Sequence, residues 1–154
     1  MSEMNIWACS VKALFDDPAS AALFAEYARE SANPLLGPCA PSREMYEALE
    51  STGMGQCFAA RLDGALAGFA FVLTSALPHY GRRFASVESL FVVGPSRGGG
   101  LGGRLMNAIE SYCLEAGCEA VFYSAPVESR LASLMFLWAD RYTNTNHVFC
   151  RRLL

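Results

Sequence analysis

A cluster of glycines between an apolar segment and a helical pattern constrains this chain more than any other feature. Residues 97–104 read Arg-Gly-Gly-Gly-Leu-Gly-Gly-Arg. Glycine destabilises a helix relative to alanine, so helix propensity does not explain the cluster. The cluster suits a backbone that approaches a ligand closely, and the free N–H groups and partial positive charge of a helix N-terminus favour an anion. We therefore interpret residues 97–104 as a pyrophosphate-binding loop.

The segments on either side of this loop support the interpretation. The run Leu90 to Val93 is apolar and β-prone, which is typical of a buried central strand, and Gly94-Pro95-Ser96 ends it. After the loop, apolar residues recur at helical spacing as far as Gly117, a common C-terminal stop. The predicted order is strand, glycine loop, helix.

Two general phosphate-binding motifs fit this loop poorly. A P-loop requires Lys and then Ser or Thr after its last glycine, whereas Gly103 is followed by Arg104. A dinucleotide fingerprint can be placed on Gly98, Gly100 and Gly103, with Glu119 near the distance of the acidic residue. Too little chain follows the loop for the rest of such a domain, so a small nucleotide-binding module is the weaker alternative.

A third interpretation is a resemblance to a known family. Arg97-x-x-Gly100-x-Gly102 matches the Arg/Gln-x-x-Gly-x-Gly/Ala signature of GNAT-type N-acetyltransferases, which bind acetyl-coenzyme A. Leu90-Phe91-Val92 stands where that family has a Leu-aromatic-Val strand, and Glu88 stands where many members carry an acidic residue. The chain thus resembles this family at motif level over residues 87–105, and in the order of its elements over most of its length.

Length and composition predict one domain over residues 1–154, because 53% of the residues are hydrophobic and supply a substantial core. Gly68 lies inside a predicted strand, where it permits close packing. The predicted order is β-α-α-β-β-β-α-β-α-β, an α+β fold, and the resemblance implies a mixed central sheet with helices on both faces. The strands are predicted over residues 4–11, 56–62, 65–75, 84–93, 119–125 and 147–153, and the helices over 16–30, 42–49, 101–116 and 129–141.

Charge and cysteine content exclude several classes of partner. The net charge is −3 and the only basic clusters are two pairs of arginines, which disfavours nucleic-acid binding. The six cysteines are scattered without the paired histidines of a metal site, so we expect reduced thiols, no metal and a cytoplasmic protein. Neither a signal peptide nor a membrane-spanning segment is recognisable, so no membrane partner is expected.

The resemblance implies how the coenzyme would be held. In the family, the pantetheine arm pairs with the backbone of the central strand, and we expect the N–H group of Phe91 to polarise the thioester carbonyl. The N–H groups of the glycine loop would hold the pyrophosphate, and Ser129 would add a contact from the last helix. The residues assigned to coenzyme binding are Leu90, Phe91, Val92, Arg97, Gly98, Gly99, Gly100, Leu101, Gly102, Gly103 and Ser129.

Glu88 is the candidate for deprotonating the acceptor amine, directly or through a water. Strand alternation predicts that Glu88, Leu90 and Val92 share one face of the sheet. The alternative is that Glu88 pairs with Arg82, Arg83 or another strand neighbour and does no chemistry.

The proton donor for the leaving thiolate is less clearly marked. The family's usual tyrosine position falls on Phe136, which has no proton to give. Tyr142, Tyr123, Tyr80 or water could substitute, and of these Tyr142 is assigned to the site. A thiolate is also a tolerable leaving group near neutral pH without an acid. His79 and Tyr80, in a loop between two strands, are assigned to acceptor recognition.

These residues predict an acetyl-CoA-dependent N-acetyltransferase that moves the acetyl group directly to an amine of a small molecule or a protein. Phe136 favours the alternative, a non-catalytic acyl-CoA-binding or sensor domain of the same fold. The last helix is apolar nearly all round, which predicts burial. A homodimer interface and a monomer core explain that apolar surface equally well.

Overall fold

The computed structural model describes residues 1–154, and the chain forms two compact units, Met1–Phe122 and Tyr123–Leu154. None of the helices combines the length and apolar character that crossing a membrane requires. A short 3₁₀ turn, Gly94–Ser96, joins the fourth strand to the fourth helix. In chain order the elements are β1 (Met4–Cys9), α1 (Val11–Asp16), α2 (Ser20–Glu30), α3 (Arg43–Ser51), β2 (Gly55–Leu62), β3 (Ala65–Leu77), β4 (Arg82–Val92), α4 (Leu101–Glu115), β5 (Val121–Tyr123) and α5 (Arg130–Leu137).

The strands form one sheet in the order β1-β2-β3-β4-β5, and β1 to β4 pair antiparallel. The β2–β3 hairpin turns on Asp63 and Gly64, both at positive φ, as the Asp-Gly pair predicts. At the other edge, the N–H of Glu119 donates to the carbonyl of Arg83, and the N–H of Ala85 donates to Ala120. These bonds advance in the same direction along both segments, so the sheet is mixed and the predicted fold class is confirmed.

Helices cover both faces of the sheet. On one face, Phe69, Phe71 and Phe91 pack with side chains of α1 and α2, among them Val11 and Leu23. On the other face, α4 buries Leu105 and Ile109 completely, and its Tyr112 ring lies 5.6 Å from that of Phe58 on β2. Burying each such side chain contributes about 1.5–3 kcal/mol, so these two layers supply most of the drive for folding.

The first helix differs from the prediction. The predicted strand 4–11 ends at Cys9, because the side chain of Ser10 accepts a hydrogen bond from the N–H of Ala13 at 3.0 Å and starts α1. The helix predicted from residue 16 begins instead at Ser20, after a turn in which the Asp17 side chain accepts from the N–H of Ala19. The apolar spacing of α1 is too short to distinguish a helix from a continued strand.

The C-terminal predictions were wrong in two respects. Residues 147–153 form no strand, and Val148 and Phe149 are 81% and 92% exposed. A β-prone run becomes a strand only where a partner satisfies its backbone groups. Helix α5 ends at Leu137, none of its residues is buried, and Phe136 is exposed rather than part of a core. An apolar helix pattern indicates that burial is favourable, but it does not supply the surface that buries it.

Candidate active site

The glycine loop has the geometry of an anion-binding helix start. Gly98 and Gly100 lie at φ 91° and 90°, a region that glycine adopts readily and other residues rarely do. Gly100 is the N-cap of α4, and the first helical hydrogen bond runs from the N–H of Arg104 to its carbonyl. Among the backbone–backbone hydrogen bonds of turns, loops and helix caps, none has an N–H group of residues 98–103 as its donor. These N–H groups are therefore available to an anionic ligand.

The end of β4 lies beside this loop and leaves one edge exposed to a ligand. β5 has 3 residues against 11 in β4, and the two residues just before β5, Glu119 and Ala120, bond to the start of β4 at Arg83 and Ala85. The stretch Leu90–Val92 therefore extends past β5. On the other side, β3 approaches β4 closely, because a Cβ on Gly68 would lie 2.7 Å from the carbonyl oxygen of Phe91. The predicted close packing at Gly68 is confirmed.

The register of β3 and β4 decides which backbone groups face that open edge. Phe69 is opposite Phe91, and the N–H of Val93 donates to the carbonyl of Ala67. Hydrogen-bonded pairs alternate along an antiparallel ladder, so the N–H of Phe91 is bonded to β3 while those of Leu90 and Val92 point outwards. The expectation that Phe91 supplies the polarising N–H was therefore wrong, and Leu90 and Val92 have the available donors.

Glu88 occupies a β-bulge. Phe71 is opposite Ser89 while Val72 is opposite Val87, so Glu88 is an extra residue without a partner on β3. The extra residue breaks the two-residue alternation, and the prediction that Glu88 shares a face with Leu90 was wrong for this reason. The side chain of Glu88 turns towards Ser89, whose hydroxyl donates a hydrogen bond to its Oε2.

Two tyrosines converge on the same serine. The hydroxyl of Tyr27, from α2, lies 3.3 Å from Ser89 Oγ, and that of Tyr46, from α3, lies 2.7 Å from it. Because the single proton of Ser89 goes to Glu88, both tyrosines donate to the serine. Burial raises the pKa of Tyr27 and of Tyr46, and the Glu88 carboxylate acts in the same direction, so both phenols stay protonated at neutral pH. We call Tyr27, Tyr46, Ser89 and Glu88 the hydroxyl relay.

Of the alternatives for Glu88, the ion pairs with Arg82 and Arg83 do not form, whereas a hydrogen bond to the strand neighbour Ser89 does. Arg82 donates to Glu119 at 2.7 Å, and Arg83 donates to the hydroxyl of Thr74 at 2.8 Å. Glu88 is exposed at the bulge and makes its hydrogen bond within the hydroxyl relay. The geometry leaves this carboxylate accessible to a ligand.

Arg97 and Arg104 flank the loop and differ in their surroundings. The Arg97 guanidinium turns away from the glycines, because its Nε donates to the carbonyl of Val92 at 2.7 Å and its Nη2 pairs with Glu30. Arg104 is exposed in the first turn of α4, and no ion pair of the structure includes it. Arg104 lies within the predicted loop 97–104 but was not among the residues assigned to coenzyme binding, although its position one residue after the last glycine was a usable signal.

The structure does not bring His79 and Tyr80 near Glu88. They lie in the β3–β4 turn, where the Tyr80 ring packs at a tilt against that of Phe84 with centroids 5.2 Å apart. The stretch of β4 from Arg82 to Glu88 spans about 20 Å at the usual rise per residue. Their role in acceptor recognition stays a prediction that requires an acceptor long enough to reach this end of the hairpin.

Two further predicted site residues lie in the second unit. Ser129 is the N-cap of α5, and its Oγ accepts from the N–H of Ala132 at 3.1 Å. Tyr142 is half-buried, with its ring 5.7 Å from that of Tyr123 and with the Arg141 guanidinium 5.3 Å from its centroid. Their roles in coenzyme binding and proton donation stay predictions.

Comparisons with solved structures support the fold. A ribosomal-protein-alanine N-acetyltransferase from Brucella melitensis biovar Abortus 2308 matches with a TM-score of 0.72 at 20% identity, covering 98% of this chain and 99% of that one. An aminoglycoside acetyltransferase from an uncultured soil metagenomic sample, in complex with sisomicin, matches with a TM-score of 0.72 at 19% identity, covering 98% and 95%. Glucosamine-6-phosphate N-acetyltransferase from Arabidopsis thaliana matches with a TM-score of 0.71 at 14% identity, covering 97% and 98%.

Comparisons with sequences give the family. A search of curated proteins found no match. The family model described as the acetyltransferase (GNAT) family matches residues 21–137, which include most of α2, all of β2 to β5 and all of α4 and α5. This range contains the glycine loop, the open edge of β4 and the hydroxyl relay. The chain therefore belongs to the acetyltransferase (GNAT) family.

Proposed function

We propose that this acetyltransferase moves the acetyl group of acetyl-CoA directly to an amine of a small molecule or a protein. One observation carries the proposal: the unbonded N–H groups of residues 98–103 adjoin the open edge of β4 at Leu90–Val92, next to the exposed carboxylate of Glu88. The family match spans parts of both compact units, which supports treating residues 1–154 as one domain. The free state of all six cysteines supports a cytoplasmic location.

The coenzyme would lie along the loop and the open strand edge. Acetyl-CoA supplies the activated acetyl thioester. The N–H groups of residues 98–103 would hold the pyrophosphate, and Arg104 would add a positive charge at the first turn of α4. The outward backbone groups of Leu90 and the N–H of Val92 would pair with the pantetheine arm, and one of the two N–H groups would stabilise negative charge on the carbonyl oxygen of the thioester.

Glu88 would accept the proton of the acceptor amine, directly or through one water. Its position at the bulge exposes the carboxylate, while Ser89 fixes one of its oxygens from the buried side. The new bond joins the amine nitrogen to the acetyl carbon, and the bond from that carbon to the coenzyme sulfur breaks. The thiolate leaves without a dedicated acid or takes a proton from Tyr142, since Phe136 has none to give.

The acceptor is proposed only as a class. The related structures are named for three acceptors: the alanine of a ribosomal protein, an aminoglycoside, and glucosamine-6-phosphate. All three carry an amine, and one is a protein while two are small molecules. Phe136, which stands at the family's usual tyrosine position, supports the second candidate. That candidate is an acyl-CoA-binding domain without turnover, in which the coenzyme binds and no amine is acetylated.

The experiment has two parts. Thermal unfolding is followed with acetyl-CoA, coenzyme A, NAD or ATP at equal concentration, since a ligand that binds only the folded state raises the midpoint. Release of the coenzyme thiol is then measured with a thiol reagent in the presence of an aminoglycoside, glucosamine-6-phosphate or a peptide with an N-terminal alanine. Glu88→Gln is compared with Glu44→Gln, a matched change at an exposed carboxylate of α3.

The proposal predicts a midpoint shift with both coenzyme A species, thiol release with one amine class, and its loss by about 10²-fold or more in Glu88→Gln alone. A shift without thiol release from any amine would favour the binding domain. A shift only with NAD or ATP would contradict both and favour the nucleotide-binding module.

A further inference from the structure

We infer that Glu26, Glu30 and Arg97 form a clamp that positions the coenzyme loop, and that Arg97 serves this clamp instead of binding phosphate. We call these three residues the α2 clamp. The inference rests on the proposed coenzyme site, because it assigns the residues that hold that site in shape. It concerns side chains that touch neither the acetyl group nor the acceptor, so they are positioning residues.

The first half of the clamp is a single hydrogen bond. Glu26 Oε1, from α2, accepts the N–H of Gly94 at 2.8 Å in a partly buried position. Gly94 begins the 3₁₀ turn that leads from β4 into the glycine loop. A charged acceptor makes a stronger bond to a backbone N–H than a neutral one does. Glu26 therefore fixes where the chain leaves the sheet.

The second half of the clamp is the guanidinium of Arg97. Its Nη2 pairs with Glu30, one helical turn after Glu26 on the same face of α2. The Nε of Arg97 donates to the carbonyl of Val92 at 2.7 Å, and the guanidinium carbon Cζ lies 5.3 Å from the centre of the Phe91 ring. These contacts tie the residue that starts the loop both to α2 and to the last residue of β4.

The Val92 contact sets the backbone that the coenzyme would meet. The carbonyl of Val92 faces the open edge of β4, and Arg97 occupies it while the N–H of Val93 is bonded to Ala67. The peptide between Val92 and Val93 is thus held from both sides. This leaves the N–H of Val92 and the groups of Leu90 free to pair with a ligand.

The charges argue against a direct phosphate contact by Arg97. To reach a phosphate, its side chain would have to leave both Glu30 and the Val92 carbonyl, and the Glu30 carboxylate would lose its counter-charge near the loop. Arg104 has no such partner in the structure. The two roles of Arg97 give opposite signs for Glu30→Gln. A clamp predicts weaker coenzyme binding, whereas a phosphate ligand released from its carboxylate predicts tighter binding.

Coenzyme A affinity is measured by calorimetry for the wild type, Glu30→Gln, Arg97→Met and their combination. If the loop is correctly shaped in only about one fifth of the molecules of a variant, its apparent affinity falls about fivefold. Glu30→Gln is expected to lose about that factor, and Arg97→Met at least as much, because it also releases the Val92 carbonyl. The double variant is expected to lose no more than Arg97→Met, because the pair between Arg97 and Glu30 is then already broken. Glu47→Gln is the matched control: its side chain is 39% exposed, against 35% for Glu30, and it pairs with Arg43 elsewhere.

A second measurement does not depend on the coenzyme. Exchange of the Gly94 amide hydrogen is expected to accelerate about tenfold in Glu26→Ala and to stay slow in Glu26→Gln, whose amide oxygen still accepts the bond. An unchanged exchange rate in Glu26→Ala, or tighter coenzyme binding in Glu30→Gln, would overturn the clamp. If the wild type binds no coenzyme A but the exchange result holds, the proposed function fails while the clamp stands.

Discussion

Replacing Gly68 by alanine tests how closely β3 must approach β4 at the open edge. A Cβ at this position would lie 2.7 Å from the carbonyl oxygen of Phe91 and 3.3 Å from Val92 Cγ2. The first contact is to backbone, so it cannot be relieved by rotating a side chain. The strands must separate locally by about half an ångström, and overpacking of this kind costs about 1–3 kcal/mol. Gly68→Ala is therefore expected to lower the free energy of unfolding.

Gly103→Ala is the matched control, because it makes the same chemical change inside α4. Apart from its chain neighbours and the backbone of its own helix, nothing lies within 4 Å of a Cβ built there, and the residue has no positive φ. Alanine in a helix is favoured over glycine by about 1 kcal/mol, so this variant is expected to be more stable than the wild type. The free energy of unfolding should thus fall in Gly68→Ala and rise in Gly103→Ala, so that the two variants differ by about 2–4 kcal/mol.

Urea unfolding followed by circular dichroism measures both free energies, and coenzyme A affinity is measured on the folded variants. Gly68→Ala should also bind coenzyme A more weakly, because it displaces the backbone that carries the Val92 N–H. If Gly68→Ala were as stable as the wild type and bound coenzyme equally well, the close approach of β3 and β4 would not be what positions this edge.

Three further predictions concern the hydroxyl relay and the thiols. Ser89→Ala removes the donor to Glu88 and should reduce kcat about tenfold while KM for the coenzyme stays unchanged. Tyr112→Phe removes a hydroxyl group from α4, outside the hydroxyl relay, and should leave kcat unchanged. Equal effects of the two variants on kcat would contradict a role for the relay. Burial raises the pKa of Tyr46 in the folded state, so its stabilising contribution is complete below about pH 10 and is lost as the pH rises further. The free energy of unfolding, measured by urea titration at about pH 9 and about pH 11, should therefore fall less in Tyr46→Phe than in the wild type. Finally, Cys150 should react with a thiol reagent in the native protein, and Cys57 should react only on unfolding, which mass spectrometry of the labelled peptides checks.

The parts of the site that sequence predicts are those with a local cause. Gly98 and Gly100 sit at positive φ, and a backbone in that conformation selects glycine at the position itself. The Asp63-Gly64 turn and the helix stop at Gly117 are of the same kind. The cap at Ser42 is another local signal, since its side chain accepts from the N–H of Met45. Such signals need only a few adjacent residues to be recognised.

The parts that sequence does not predict depend on distant pairing. The bulge at Glu88 exists only in the register of β4 against β3, and no residue type marks it. Tyr27 and Tyr46 lie 62 and 43 positions from Ser89 along the chain, so the hydroxyl relay has no spacing to detect. The reassignment from Phe91 to Leu90 and Val92 likewise follows from which ladder pairs are hydrogen-bonded. The strand predicted over residues 147–153 was wrong because this β-prone segment has no partner strand to pair with.

The most direct test of the account is an amide NMR titration of the wild type with acetyl-CoA. The account predicts that the backbone amide signals of residues 98–103 and of Leu90 and Val92 shift, and that an equal concentration of NAD leaves them in place. Shifts confined to other parts of the chain, or the same shifts with NAD, would contradict the assignment of this loop and strand edge to acetyl-CoA.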